Sequence, residues 1–360
     1  MIFQIIDDKD GCFGVYSGGE FIYDRIPNAC SRTWNWTQHC AGNNIDYAYL
    51  WSGGKSIEQC CPENIKPRFE ARQKKIKAFI NSCLNSKVDI SEYCLFDLIP
   101  ESHLRHFLEV KNEICQHIFE NIEKPKNYTF LSNTYEMIKE ISAQNLQVDW
   151  PLLQDLAFRD IKAKHLYQRI KGKRTFVNYD IFGTKTGRLS IVEGSFPILN
   201  LKTEHKAILK PQNDYFVELD YNGAEVRTLL SLSNKPQPCE DIHEFHMNNL
   251  YRNFGTRSKA KERFFAWLYN PNSGDYLTER YYDKKSILGS HYRDGKVHTP
   301  FGREIDSDDF HALNYLLQST SSDNCLTQVN KIHRFLKDKK STVAFIVHDS
   351  VVIDLAHSER

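Results

Sequence analysis

RSKAKERFFAWLY, residues 257–269, is the stretch on which the reading of this chain turns. Arg257, Lys261, Phe265 and Tyr269 recur every four residues, an interval that drifts slowly around an α-helix and puts all four on one stripe. The stripe runs cation, cation, aromatic, aromatic. A buried face would carry Leu or Ile at those places, and a solvated face has no need of two rings. Two cations followed by two flat rings suit a nucleoside triphosphate, phosphates at one end and a base at the other. An ordinary amphipathic helix with a basic, solvated side fits the same residues, so the flanking sequence has to decide.

On the N-terminal side, YFVELDY (215–221) alternates like a half-buried strand and carries Asp220 near its end. On the C-terminal side, STVAFIVHDSVVIDL (341–355) reads as two β-rich runs meeting at His348, Asp349 and Ser350, a hairpin with a polar tip. A Gly/Pro/Asn break at 270–274 and a second helix from about Asp308 to Lys337 lie between. If the hairpin packs beside the strand, Asp220 and Asp349 converge at a sheet edge. Two carboxylates there are hard oxygen ligands for a pair of Mg²⁺ ions, with room left for substrate phosphates. Such a pair, about 3.5–4 Å apart, can activate an attacking 3′-hydroxyl and stabilise a leaving pyrophosphate. A lone Asp at a strand end is usually a cap or turn residue. The pair gains its meaning from the phosphate-suited helix between them.

The 360 residues are 41% hydrophobic and 26% charged, a globular balance with length for two or three subdomains. A net charge of +1 selects no partner class, but its distribution does. From Arg159 to Arg188 there are nine Lys/Arg against two Asp, a local +7 and a candidate polyanion footprint. Ten cysteines, eight before residue 116, form no C-x2-C pair, and no secretory signal or membrane-length apolar run is present. Reduced thiols in a cytoplasm are expected, with no membrane partner. His39, Cys40, Cys60 and Cys61 are a weak zinc candidate because their spacing is irregular.

Residues 1 to about 100 open with strand-like alternation and then turn aromatic and Cys-rich, and 66–85 reads as a basic amphipathic helix. From 101 to 172 the apolar period is helical, punctuated by Pro125 and Pro151.

Three segments taken together are specific. LDYNGAEVR (219–227) resembles the first palm motif of the family A DNA polymerases, D-Y-S-Q-I-E-x-R, with Asp220, Tyr221, Glu225 and Arg227 in register. RSKAKERFFAWLY resembles that family's fingers helix, R-x3-K-x3-F-x3-Y, and IVHDS (346–350) resembles its second palm motif, V-H-D-E. TKTGRLS (184–190), DIH (241–243) and N-x3-Q at Asn314 and Gln318 agree in order. The family includes bacterial DNA polymerase I and phage replicases, and the likeness covers about residues 180–355.

The resemblance implies an α+β right-hand fold with an antiparallel-sheet palm, a helical thumb and short helical fingers, behind a small mixed N-terminal domain. The expected boundaries are an N-terminal module at 1–100, thumb at 101–178, first part of the palm at 179–231, fingers at 232–300 and second part of the palm at 301–360. It implies a template-directed DNA polymerase of a reduced, phage-encoded type that uses Mg²⁺ (Mn²⁺ able to substitute), dNTPs and primer–template DNA. Asp220 and Asp349 would hold the ions with help from the Tyr221 carbonyl, and Arg257, Lys261 and His243 would grip the triphosphate. Phe265 would pack on the incoming sugar and base, and Tyr269 would sit near the templating base. Glu225 would be the steric gate that excludes a 2′-hydroxyl. Arg188, Asn314 and Gln318 would donate to minor-groove acceptors common to every base pair. His348 would support the primer terminus, and the basic 159–174 segment, Lys171, Lys173 and Arg174 included, would neutralise duplex phosphates.

Four departures qualify the likeness. Ser350 stands where the motif has a carboxylate, a feature shared with phage-type RNA polymerases, although Glu225 and Phe265 speak against those enzymes. Asn270 follows Tyr269 where Gly is usual. Only about 30 residues separate Tyr269 from TPFGRE, which makes the fingers small and low processivity without a partner expected. The chain ends eleven residues after Asp349, which leaves open an incomplete chain or a reduced enzyme completed by a processivity factor or second chain. In the N-terminal third, Asp7, Asp46 and Asp97 are candidate remnants of an exonuclease, but no D-x-E pair accompanies them, so a structural or docking module is expected. The rival to an active polymerase is a catalytically weak or dead primer–template binder.

Overall fold

Alternating apolar residues in FQIIDDK and CFGVYS form the first two strands of an antiparallel meander, β1 (Phe3–Lys9), β2 (Cys12–Ser17) and β3 (Glu20–Tyr23). The computed structural model describes residues 1–9, 11–90, 92–252, 255–270 and 273–360. These divide into two compact units, Met1–Glu136 and Met137–Arg360.

In the first unit, helices α1 (Lys66–Asn85) and α2 (Glu101–Asn121) form where the helical period was read. Ile76, Leu104 and Leu108 bury against Ile6 and Tyr16 of the meander. Asp7 is buried and accepts the Leu95 amide at 2.8 Å, with Lys9 at 2.9 Å. Helix α3 (Tyr128–Ala143) runs across the division.

Two expectations fail in this unit. Cys12 and Cys94 form a disulfide across 82 residues of sequence, so the thiols are not all reduced. No spacing pattern announces a bridge between a strand and a distant turn. The zinc candidate does not assemble either, since His39 stacks on the Phe13 ring at 3.8 Å. Among the described residues, only Asp160, Glu204 and His205 bring three metal-type ligand atoms within 4.8 Å of one another, so neither the zinc set nor Asp7, Asp46 and Asp97 gathers.

The second unit continues with a helical pair, α4 (Trp150–Arg159) and α5 (Ile161–Ile170). Pro151 sits in the first turn of α4, where its missing N–H is no loss. The Asp160 carboxylate caps α5 through the Lys162 and Ala163 amides at 2.6 and 3.2 Å. Next come β4 (Tyr215–Asp220), α6 (Ala224–Leu232), the single turn α7 (Ile242–Phe245), α8 (Arg257–Tyr269), α9 (Tyr276–Tyr282) and α10 (Lys284–His291). The long helix α11 (Ala312–Leu336) and the hairpin β5 (Thr342–Val347) and β6 (Ser350–Leu355) close the chain. The middle of the 270–274 break, residues 271 and 272, lies outside the described residues.

Strand β6 is central in a three-stranded antiparallel sheet of order β4-β6-β5. Its register sets Asp220 opposite Ser350, and Ser350 opposite Val347. One core holds the helices together: Val226 and Leu229 of α6, Ile242 of α7, Phe264 and Trp267 of α8, and Leu316 and Leu317 of α11 are all buried. Each such side chain contributes roughly 1.5–3 kcal/mol by leaving water. Gly223 initiates α6 at φ +67°, and a Cβ there would meet Ile242 Cγ2 at 2.7 Å, so both the backbone conformation and the packing call for glycine. No described helix is long and apolar enough to cross a membrane.

Candidate functional site

Helix α8 forms over Arg257–Tyr269 because one side of it is apolar. Ala260, Phe264, Trp267 and Leu268 bury, which turns Arg257, Lys261, Phe265 and Tyr269 the other way. Arg257, Lys261 and Tyr269 are exposed, and Phe265 is half-buried. The Phe265 and Tyr269 rings stack with centroids 5.8 Å apart and planes 7° from parallel. His243, buried at 4% exposure, packs on Phe265 with ring centroids 5.8 Å apart. Its Nδ1 is buried without a hydrogen-bond partner among the described residues. Burial holds its imidazole below the usual pKa, and the cations of Arg257 and Lys261 add to that.

Arg257 is not free in this structure. Its Nε and Nη2 donate to Asp241 at 2.9 and 2.7 Å, and Asp241 also caps α7 through the His243 and Glu244 amides. The Arg257 contact holds the Asp241 carboxyl well below the ordinary range. In D-I-H the histidine is the residue whose chemistry stands out, and nothing in the spacing ties Asp241 to Arg257.

Tyr269 donates its hydroxyl to Glu225 Oε2 on α6, and Arg188 Nη2 donates to Glu225 Oε1 at 2.5 Å. Burial first, and then the hydrogen bond to Glu225, push the Tyr269 phenol up. Asn314 and Gln318 on α11 are joined at 2.5 Å and, with Tyr269 and Phe310, line a cavity of about 340 Å³.

At the sheet edge, Asp220 ends β4 and Asp349 stands in the two-residue turn between β5 and β6. The exposed His348 beside it has φ +55°, a left-handed backbone unusual for a side chain with a Cβ. Partial loss of hydration raises the Asp220 carboxyl above its usual pKa, and the negative charges of Asp349 and Glu218 raise it further. The Tyr221 amide opposes this by hydrogen-bonding to it. Burial, then the same two Asp charges, push the Cys325 thiol beneath up to about 12. A hard divalent cation fits this donor set of carboxylates that repel one another. Ser350, in place of a carboxylate, donates to Glu218 Oε1 at 3.0 Å, and Lys206 Nζ lies 3.5 Å from the same oxygen. Asp160, Glu204 and His205 form a separate acidic group, but Lys202 already bridges its two carboxylates at 2.7 and 2.9 Å.

Two positioning groups went unread in the sequence. Tyr179, fully buried, accepts the Ile346 amide at 2.7 Å and donates to the Ile346 carbonyl at 2.6 Å, fixing β5 just before the Asp349 turn. Arg303 of TPFGRE pairs through Nε and Nη2 with the fully buried Asp323 of α11 at 2.7 and 2.9 Å. Of the basic residues, Lys171, Lys173 and Arg174 are exposed. Lys171 lies over the Tyr167 ring, and Arg174 donates to the Ser142 and Ala143 carbonyls.

No protein-family model matches the chain, and no curated protein matches it. Among solved structures it is similar to the POL domain of Pol1 from M. smegmatis, in complex with DNA primer-template and dNTP. The two chains are 14% identical with a TM-score of 0.57, over 72% of this chain and 69% of that one. At that identity the likeness is one of fold, and the fold is that of a polymerase domain.

Proposed function

We propose that the chain is a template-directed DNA polymerase that adds dNTPs to a primer 3′-hydroxyl and releases pyrophosphate. The observation that carries this reading is a single linkage. Asp220 and Glu225 belong to one strand–turn–helix, Tyr269 reaches Glu225 from the cation–aromatic helix, and the sheet register sets Asp220 opposite Ser350, the residue after Asp349 in the hairpin. Carboxylates, triphosphate-type cations and base-type rings are thereby joined in one unit. The fold likeness supports it, since the M. smegmatis domain is a complex with primer-template and dNTP.

Asp220, Asp349 and the Tyr221 carbonyl would hold Mg²⁺, with Mn²⁺ able to substitute, and bound ions would activate the primer hydroxyl and neutralise the pyrophosphate. Lys261 and Arg257 bind the triphosphate, Arg257 by exchanging Asp241 for phosphate oxygens. Phe265 packs on the incoming sugar and base, and Tyr269 lies near the templating base. Glu225 stands against C2′ of the incoming sugar. Asn314, Gln318 and Arg188 donate to the minor groove, His348 supports the primer end, and Lys171, Lys173 and Arg174 meet duplex phosphates. In this reading, 101–178 acts as thumb, 179–231 and 301–360 as palm, and 232–300 as fingers.

The test is primer extension by the purified chain on a recessed template with Mg²⁺ and either dNTPs or rNTPs. Extension with dNTPs alone is expected. Extension with rNTPs at a comparable rate would favour an RNA-polymerase-like enzyme. Salt-sensitive duplex binding without extension would favour an inactive binder.

A further inference from the structure

We propose that Arg188 is a determinant of sugar selectivity, acting on the incoming nucleotide by holding Glu225 in place; the inference rests on the polymerase reading above. Glu225 has one holder for each carboxylate oxygen. Arg188 takes Oε1 at 2.5 Å, and the Tyr269 hydroxyl takes Oε2. The holders come from different elements, Arg188 from the 184–190 loop and Tyr269 from the C-terminal end of α8. A glutamate has three rotatable side-chain bonds, and a steric gate that can swing aside excludes nothing. Two anchors at opposite oxygens remove that freedom before a nucleotide arrives.

The loop under Arg188 is built to aim it. Thr184 Oγ1 donates to the Arg188 carbonyl at 2.7 Å, and the Gly187 amide closes the turn on the Thr184 carbonyl at 3.2 Å. Gly187 has φ +74°, and a Cβ there would run into the Arg303 guanidinium, itself locked on buried Asp323. Ser322 Oγ donates to the Gly187 carbonyl at 3.3 Å, tying the turn to α11. The Arg188 side chain is 42% exposed, against 19% for that of Glu225, and a guanidinium has further N–H groups to offer a duplex. One residue thus touches both the gate and the place proposed for the primer terminus. Arg188 is a positioning residue for selectivity, and the sugar-reading group is Glu225.

The experiment is single-nucleotide incorporation with the full chain on one primer–template, comparing dNTP and rNTP for the parent, Arg188→Met, Arg188→Lys, Glu225→Ala and the Arg188→Met/Glu225→Ala pair. Arg188→Met is expected to lower the dNTP-over-rNTP ratio of kcat/KM about tenfold, chiefly through a lower KM for the rNTP. Arg188→Lys should recover part of the ratio, and Arg188→Met should leave the ratio unchanged once Glu225 is gone. If Arg188→Met slows both substrates alike and leaves the ratio within about twofold while Glu225→Ala lowers it, Arg188 serves the primer only and the inference falls. If Glu225→Ala itself leaves the ratio unchanged, the gate assignment falls and takes this inference with it.

Discussion

Arg257 closes both arms of its guanidinium on Asp241, the carboxylate that also caps α7, with Nε to Oδ1 at 2.9 Å and Nη2 to Oδ2 at 2.7 Å. The cation proposed to grip a triphosphate is therefore already satisfied, and nucleotide must displace a carboxylate to reach it. Asp241→Asn separates the two roles of Asp241. Asparagine caps helices as well as aspartate does, so the cap of α7 should be kept. Weakening this exposed ion pair should lower the dNTP KM by up to about fivefold, the range that surface pairs span. A raised KM in steady-state kinetics would mean that Asp241 orients Arg257 and does not compete with the nucleotide.

Phe265 lies flat against Tyr269 and half-buried beside His243. In the proposed pocket a phenol oxygen at its para position can take over the contact that a missing 3′-hydroxyl leaves open. Phe265→Tyr should therefore raise dideoxynucleotide incorporation. One net hydrogen bond, about 0.5–1.5 kcal/mol, corresponds to a roughly two- to tenfold gain. Unchanged chain termination on a sequencing ladder would remove Phe265 from the nucleotide site.

Asp349→Asn keeps the shape of the turn and removes the charge that faces Asp220. Extension should be lost, duplex affinity should stay within about twofold because phosphate contacts dominate it, and Mn²⁺ binding followed by electron paramagnetic resonance should weaken. A large fall in duplex affinity with Mn²⁺ binding intact would assign Asp349 a structural role.

The parts of this protein legible in the sequence were those carried by period and by local chemistry. The α8 stripe follows from a four-residue repeat, and the same repeat buries Ala260, Phe264 and Trp267 behind it. The hairpin follows from two β-rich runs around a polar pair. What stayed hidden depends on contacts between distant residues. The contacts of Arg257 with Asp241, Arg188 with Glu225, the Tyr179 hydroxyl with the Ile346 backbone, and Arg303 with Asp323 have no spacing signal, even where one partner stands out by itself. The Cys12–Cys94 bridge was missed for the same reason, since a separation of 82 residues carries no spacing signal.

Arg303 and Asp323 make a deeply buried ion pair in the second unit, with the two side chains 12% and 0% exposed. Burial raises the Asp323 carboxyl, and the Arg303 charge works against that. Arg303→Met strands the carboxylate, and a loss of about 3–5 kcal/mol is expected in chemical denaturation. Arg303→Met combined with Asp323→Leu should recover most of that loss, because no buried carboxylate is then left without its cation. The double variant should still lose sugar selectivity if the Gly187 turn needs the guanidinium beneath it.

His246 gives the second unit an acid-sensitive point. It is fully buried, stacked on Phe264 at 4.8 Å, with Nε2 and the Tyr282 hydroxyl 2.5 Å apart. Burial, and then the neighbouring His243, lower its pKa to about 4, with Asp241 opposing. The folded chain therefore keeps this imidazole neutral over a range in which the unfolded chain binds a proton. Its contribution to stability is complete above pH about 6.5, the ordinary histidine value, and is lost as pH falls from there towards about 4. The slope it adds is at most one proton, about 1.4 kcal/mol per pH unit. His243 shifts in the same direction and adds to the effect. His246→Gln removes the titration and retains a polar group near Tyr282, so denaturation midpoints should depend less on pH in that window than those of the parent. Parallel pH profiles for the two proteins would show that His246 takes up its proton as readily in the folded chain as in the unfolded one, and that its burial among Phe264 and Tyr282 does not set its charge.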